Sequence, residues 1–380
     1  MTSSRDDFID ELRGVALLGI VLVNAPFLGM SINGFVRGDA TSMADRIAEF
    51  AVVAFFQAKF YLLFAFLFGY SAHLTMSKPD SRRTFALRLL GLAVFGILHA
   101  ALFFIGDILV SYAVLGLVLL GAVRWTDRQA AVGMCLALVF AAAALAVLAV
   151  AAGQPGFDEA ASLEPFLAYD RTMSEGSFLQ TVQARLRIWP TALLALSFLN
   201  WGFALACFFA GLLAARRRVF ALPERFAGLW LWCSRLGVAI GLPLGVASAW
   251  LIVGPGSLGG IGVDARSVYG TVIGFAAAPF LSAGYLAWML ALRRRFAQAF
   301  AFFRLPGRMS LTLYVGESAL LAAIFCGWGG GLFGTLGAAP TLSIALAVWF
   351  ALEIFARIWL SRFSHGPLEF LLKGFARPAA

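Results

Sequence analysis

Apolar runs too long for a soluble core dominate this sequence. From Leu136 to Ala152 there is no charged or amide side chain, and no alternation of apolar with polar residues. A bilayer-spanning helix needs about 20 mostly apolar residues. Lipid offers no partner for bare backbone groups, so each span must be a helix or part of a closed barrel. Without a two-residue period a barrel is excluded. Across 380 residues the chain is 61% hydrophobic and 13% charged, whereas soluble domains are about 25% charged. The expected class is all-α, a polytopic integral membrane protein.

The runs predict about ten transmembrane helices, at roughly 12–30, 50–76, 86–105, 108–124, 129–152, 190–215, 226–253, 267–292, 309–328 and 340–361. Basic residues orient them. With the N-terminus inside, most of the 29 Lys and Arg fall on inward segments, including Arg82-Arg83, Arg216-Arg217-Arg218 and Arg293-Arg294-Arg295. Cytoplasmic loops are enriched in such residues, so both termini are expected in the cytoplasm. The net charge of +9 is then loop charge, and no nucleic-acid partner is implied. The first apolar run lacks a cleavage pattern and is expected to stay in the mature protein.

A single domain, 1–380, is expected. Five N-terminal spans (1–152) are separated from five C-terminal ones (190–380) by an acidic extracytoplasmic loop, 153–189, containing Asp158, Glu159, Glu164, Asp170 and Glu175. A loop of that length is either a partial lid or a connector. Glycines at 254–262 and 327–337 suggest tight outer turns. Cys135, Cys207, Cys233 and Cys326 lie in apolar runs without CxxC spacing and read as small core residues.

Ionisable residues inside spans are costly and usually face an interior or a wet cavity. Asp10 and Arg13 lie three apart on one helix face. They are either an anchor pair for the helix end or a contact to an anionic donor. Asn24 lies roughly 16 Å deeper and serves as interhelical glue or as an active-site amide. Lys59 must pair, snorkel or meet water. His99 lies below the outer tip of a hairpin on which Asp107 begins the return, so the tip can fold the carboxylate toward the imidazole. That pair suits a general base; a structural histidine with Asp107 as a helix cap is the other reading. Arg308 and Glu317 are nine apart, offset by about half a turn, and each needs a partner elsewhere. His73 and His365 read as interfacial residues, and Glu369 as a clasp after the helix-breaking Gly366-Pro367. No metal-ligand cluster at helical spacing is seen.

Five ordered motifs carry a family resemblance: Ile9-to-Asn24 IDELRGVALLGIVLVN, Gln57-to-Gly69 QAKFYLLFAFLFG, the pair Gly96-to-Ala100 GILHA and Gly106-to-Leu109 GDIL, Gly307-to-Tyr314 GRMSLTLY, and His365-to-Phe370 HGPLEF. Across nearly its whole length the chain resembles the YeiB family of bacterial membrane proteins (domain of unknown function 418). That family is distantly similar to the multi-pass heparan glucosaminide N-acetyltransferase and acyltransferase-3 superfamily. The resemblance implies a place in the bacterial inner membrane, acyl-CoA as a donor substrate with no permanently bound cofactor, and a sugar, lipid or amine acceptor. Asp10-x-x-Arg13-Gly14 with Asn24 resembles the wider group's first-helix signature. Where the glucosaminide enzyme has its histidine, soon after the first helix, Ser31 to Arg37 contain none.

The leading expectation is therefore a membrane acyltransferase. Arg13, Asp10, Arg308 and Glu317 surround the donor, His99 acts as base, Asp107 orients it, and Asn24 or Lys59 stabilises the oxyanion. The alternatives are a transporter or exporter of a small amphiphile and a noncatalytic lipid-binding scaffold. Membrane lipids are expected partners, and homo-oligomerisation stays open.

Overall fold

The computed structural model describes residues 4–35, 42–77, 81–156, 164–255, 257, 260 and 264–375, and among these there is no strand. Helix α1, Ser4–Gly29, forms the axis of the bundle. Leu12, Ala16, Leu17, Val21 and Ala25 recur at helical spacing along it and are at most 1% exposed. Against it pack α3 (Phe60–Met76), α13 (Arg304–Arg308), α14 (Ser310–Phe325) and α15 (Ala338–Leu360). At Gly307 the α13 backbone lies directly on the Asp10 main chain, where any Cβ would clash. Close backbone approach at small residues is how helices associate without a hydrophobic drive between them.

A second layer pairs α3 and α6 (Asp127–Ala152) with α8 (Phe178–Arg216), while α4 (Ser81–Leu102) and α5 (Leu109–Ala122) form a hairpin. Gly69 of α3 meets the Phe208 backbone, and Gly211 of α8 meets Phe66. A third group joins α9 (Ala227–Leu236) and α10 (Leu242–Val253) to α11 (Ala265–Arg295). The outer face of α6 exposes Leu136, Val139, Phe140, Val147 and Val150, each more than half exposed. An apolar band of that extent is stable only against lipid.

The chain is thus an all-α polytopic membrane protein. Among the described residues eight helices are long and apolar enough to cross a bilayer, or nine if Ala297–Arg308 and Ser310–Phe325, bent by 81°, make one span. The remaining expected span is α5, whose 14 residues reach about 21 Å, short of a bilayer core of about 30 Å.

Three expectations are corrected. The segment 153–189 is not an open loop: it holds α7, Glu164–Glu175, and α8 already begins at Phe178 and runs 39 residues through Pro190. Its Arg185 and Arg187 gave the start of α8 the look of a loop. Asp158 and Glu159 lie outside the described residues. The span expected at 50–76 is also broken. After α2, Met43–Ala51, Val52–Phe56 forms a π-turn and Ala58 takes φ 63°, a left-handed conformation that costs a residue with a Cβ. The helix expected to run through 309–328 ends at Phe325. Turns after it place Gly331 and Gly334 at positive φ, as their glycines predict.

Candidate functional site

Arg13 and Arg308, expected to serve one ligand, line a single cavity of about 240 Å³. It lies among α1, α3, α4, α5 and α14, with one wall from α16, Pro367–Phe375. A third arginine, Arg88, joins them. Phe64, Leu67, Phe68, Leu92 and Leu109 make the rest of the lining largely apolar. Arg13 reaches Asp10 with Nη1 at 2.8 Å and donates Nη2 to Ser71. Arg88 holds Thr75 Oγ1 at 3.5 Å, and Arg308 reaches the Ser364 carbonyl at 3.4 Å. Three guanidinium groups stand against one lining carboxylate, Glu369, with Asp10 paired to Arg13 behind the wall, so the lining is cationic.

Glu369 acts as the expected clasp. Its carboxylate accepts from Leu311 N at 2.7 Å, Thr312 N at 3.1 Å and Thr312 Oγ1 at 2.6 Å. These are the orphan donors of the α14 N-terminus. Beside it, Ser364 Oγ and Lys373 both contact His365. Partial burial, followed by the Lys373 and Arg308 cations, pushes the His365 imidazole below its ordinary range.

Tyr314 also lines the cavity. Its hydroxyl accepts from Ile108 N at 3.2 Å, and its ring lies 4.9 Å from that of His99. His99 Nδ1 and Asp107 Oδ1 are 2.9 Å apart, with both side chains fully buried. Asp107 Oδ2 also accepts from Val110 N at 2.9 Å, so one carboxylate both caps α5 and orients the imidazole. Gly96 makes this possible, because a Cβ there would strike Asp107 Oδ2. With Nδ1–H given to the carboxylate, Nε2 carries the lone pair. Nε2 is buried and has no hydrogen-bond partner among the described residues, and neither does Glu317 Oε1, one turn beyond Tyr314. An unpaired polar atom at such depth is costly.

The other expected residues are placed elsewhere. Lys59 is 1% exposed and donates to the Val53 carbonyl at 3.0 Å inside the α2–α3 break. Ser282 Oγ and Tyr285 Oη satisfy the Lys59 and Phe55 carbonyls at 2.8 and 2.7 Å. Neither Lys59 nor the half-buried Asn24 lines the cavity, and Asp10 reaches it only through Arg13. Arg88, Ser71 and Tyr314 were not singled out by sequence. Arg88 had been read only as a loop charge.

The comparisons bear on the whole chain. The profile of a family described as protein of unknown function (DUF418) matches residues 214–377. Bacillus subtilis (strain 168) YxaH, described as an uncharacterized protein, is 28% identical over 98% of this chain and 94% of its own length. Escherichia coli (strain K12) YeiB, likewise described, is 28% identical over 99% of this chain and 97% of its own. The chain is thus similar to YxaH and YeiB over nearly its whole length and to the DUF418 family over its C-terminal part. A 39.9 kDa protein from the amylase 3′ region of Bacillus acidopullulyticus is 34% identical over 35% of the chain and 38% of its own length. The DUF418 segment supplies Arg308, Tyr314, Glu317 and Glu369, while Arg13, Arg88, His99 and Asp107 lie before it. The cavity is therefore built both from the DUF418-matching segment and from the part of the chain before it.

Proposed function

We propose that the chain is a membrane acyltransferase, passing an acyl group from cytoplasmic acyl-CoA to a hydroxyl or amine acceptor that is extracytoplasmic or membrane-embedded. The observation that carries this reading is one cavity lined by Arg13, Arg88 and Arg308 and by Tyr314, whose ring packs on that of His99. Guanidinium groups suit phosphate, and the apolar lining suits the acyl chain. His99 Nε2 takes the acceptor proton, the acceptor oxygen or nitrogen bonds to the thioester carbonyl carbon, and the CoA thiolate leaves and takes up a proton. Asp107 holds the imidazole in the tautomer this requires. His99 does not itself line the cavity, whereas Tyr314, whose ring lies 4.9 Å from the imidazole, does, so transfer in this reading requires local rearrangement around that contact. The reading places the chain in the bacterial inner membrane with both termini in the cytoplasm and the three arginines toward that side.

The test is radiolabelled acyl transfer from acyl-CoA in proteoliposomes, scanned over sugar, lipid and amine acceptors. Transfer that appears with the wild type and vanishes in His99→Ala supports the reading. Full transfer by His99→Ala removes it.

A transporter of a small amphiphile is the second reading. Its specific support is irregular backbone at depth, the Val52–Lys59 break with its carbonyls satisfied by α11, and the 81° bend before α14. Interrupted helices of this kind line transport sites. Acyl-CoA-independent movement of an amphiphile across proteoliposomes would favour it.

A further inference from the structure

The buried charge this chemistry leaves unexplained is Arg185. It lies on α8, is 1% exposed, and no carboxylate lies within ion-pair distance of it among the described residues. A guanidinium buried without a counter-charge is strongly unfavourable, and charged groups within spans are kept for pairing or for function. Its donors go to the end of α4, to its own helix and to the residue after α14, and the Tyr169 hydroxyl of α7 stands beside it. Nη1 donates to the carbonyl of Leu102, the last residue of α4, at 2.9 Å, and to Thr181 Oγ1 at 3.3 Å. Nη2 donates to Sγ of Cys326, the residue that closes α14, at 3.3 Å. Helix C-termini carry partial negative charge, so the Leu102 carbonyl, with the Thr181 hydroxyl and the Cys326 sulfur, stands in for the missing carboxylate.

Helices α4 and α14 bear the His99–Tyr314 contact. His99 lies one turn before Leu102, and its own carbonyl accepts from Phe103 N and Phe104 N at 2.9 and 3.0 Å. Tyr314 and Glu317 stand on α14. The groups that face the imidazole are Asp107 from its own hairpin and Tyr314 from α14, with Glu317 one turn beyond, and Arg185 reaches them only through the helix ends.

We infer that Arg185 is the positioning residue for His99: one guanidinium clasps the ends of α4 and α14, fixing the imidazole against Tyr314 and keeping Asp107 within reach of Nδ1. The catalytic use of that position rests on the acyl-transfer reading; the position itself does not. A loosened hairpin tip frees the ring to exchange tautomers, and a misplacement of about 1 Å costs about a hundredfold in rate.

The test is the imidazole 15N spectrum of His-labelled protein in nanodiscs. The chain has three histidines, and the His99 signal is assigned by its absence in His99→Ala. Wild type is expected to show one tautomer, protonated at Nδ1. Arg185→Gln is expected to show mixed tautomers, with kcat for transfer lowered about a hundredfold and the KM for acyl-CoA unchanged. Arg185→Lys keeps the charge with one donor head and is expected to restore part of the single-tautomer signal. Cys326→Val removes only the α14 arm, folds without a buried charge change, and is expected to broaden the signal. A wild-type tautomer pattern in both Arg185→Gln and Cys326→Val overturns the inference. Absence of acyl transfer by the wild type overturns the acyltransferase reading and leaves the spectrum to decide on Arg185.

Discussion

Lys59 and His99 are equally deep, each 1% exposed, yet they are built for opposite purposes. Lys59 closes a defect. Its ammonium, the Ser282 hydroxyl and the Tyr285 hydroxyl satisfy carbonyls that the α2–α3 break leaves open. His99 does the reverse, since its environment fixes one nitrogen and leaves the other without a partner. Burial of an ionisable group marks only an expense. Under the acyl-transfer reading, an atom left unspent on a ring packed against the cavity-lining Tyr314 is what sets His99 apart from a brace.

The comparison breaks most visibly at His99. Replacing it with Ala is expected to lower acyl transfer by about 10²–10⁴-fold while the protein stays folded, as thermal unfolding in detergent reads. Next come the arginines. Arg308→Gln or Arg88→Gln is expected to raise the KM for acyl-CoA by about ten- to a hundredfold, the loss of one charged hydrogen bond, with kcat held. Calorimetric titration with CoA checks that arm. Lys59→Met should leave the transfer rate at the wild-type level and show itself in stability, since an unsatisfied Val53 carbonyl costs about 1–3 kcal/mol. Transfer lost in Lys59→Met would erase the distinction drawn between the two residues.

The smallest effect belongs to α7, outside the spans. Asp170 accepts from Ser31 Oγ at 2.6 Å and Ile32 N at 2.9 Å, and burial raises its carboxyl above the ordinary range, outweighing those two bonds. A raised carboxyl pKa means that the attachment is complete at acid pH and weakens as pH rises through the folded value. Hydrogen exchange in α7 should therefore quicken with rising pH beyond the intrinsic trend. Asp170→Asn should flatten that response.

The sequence made the spans legible because lipid leaves the backbone few choices, and the apolar runs mark them. The His99–Asp107 pair was legible for a local reason, a short hairpin with Gly96 opposite the carboxylate. Arg13 and Arg308 were readable as two cations at one end of the bundle, but nothing in their spacing revealed that Arg88 completes the set. That depends on how α4 rotates against α3. The break at Val52–Lys59 was hidden because Val-Val-Ala-Phe-Phe reads as helix and the strained residue is Ala58, with no glycine to announce it. Arg185 was counted among loop charges, since its partners are a helix-end carbonyl, a hydroxyl and a sulfur, which a sequence does not spell.

The Glu369 clasp has a practical side. The α14 N-terminus, on the cavity wall, is occupied by a side chain from the penultimate stretch of the polypeptide. Glu369 of α16 is thus a built-in occupant of an anion-receptive spot. An affinity tag or reporter fused after Phe375 pulls on α16 and thereby on the donors at Leu311 and Thr312, so a C-terminal fusion is a perturbation of the chamber. An N-terminal fusion leaves that stopper in place.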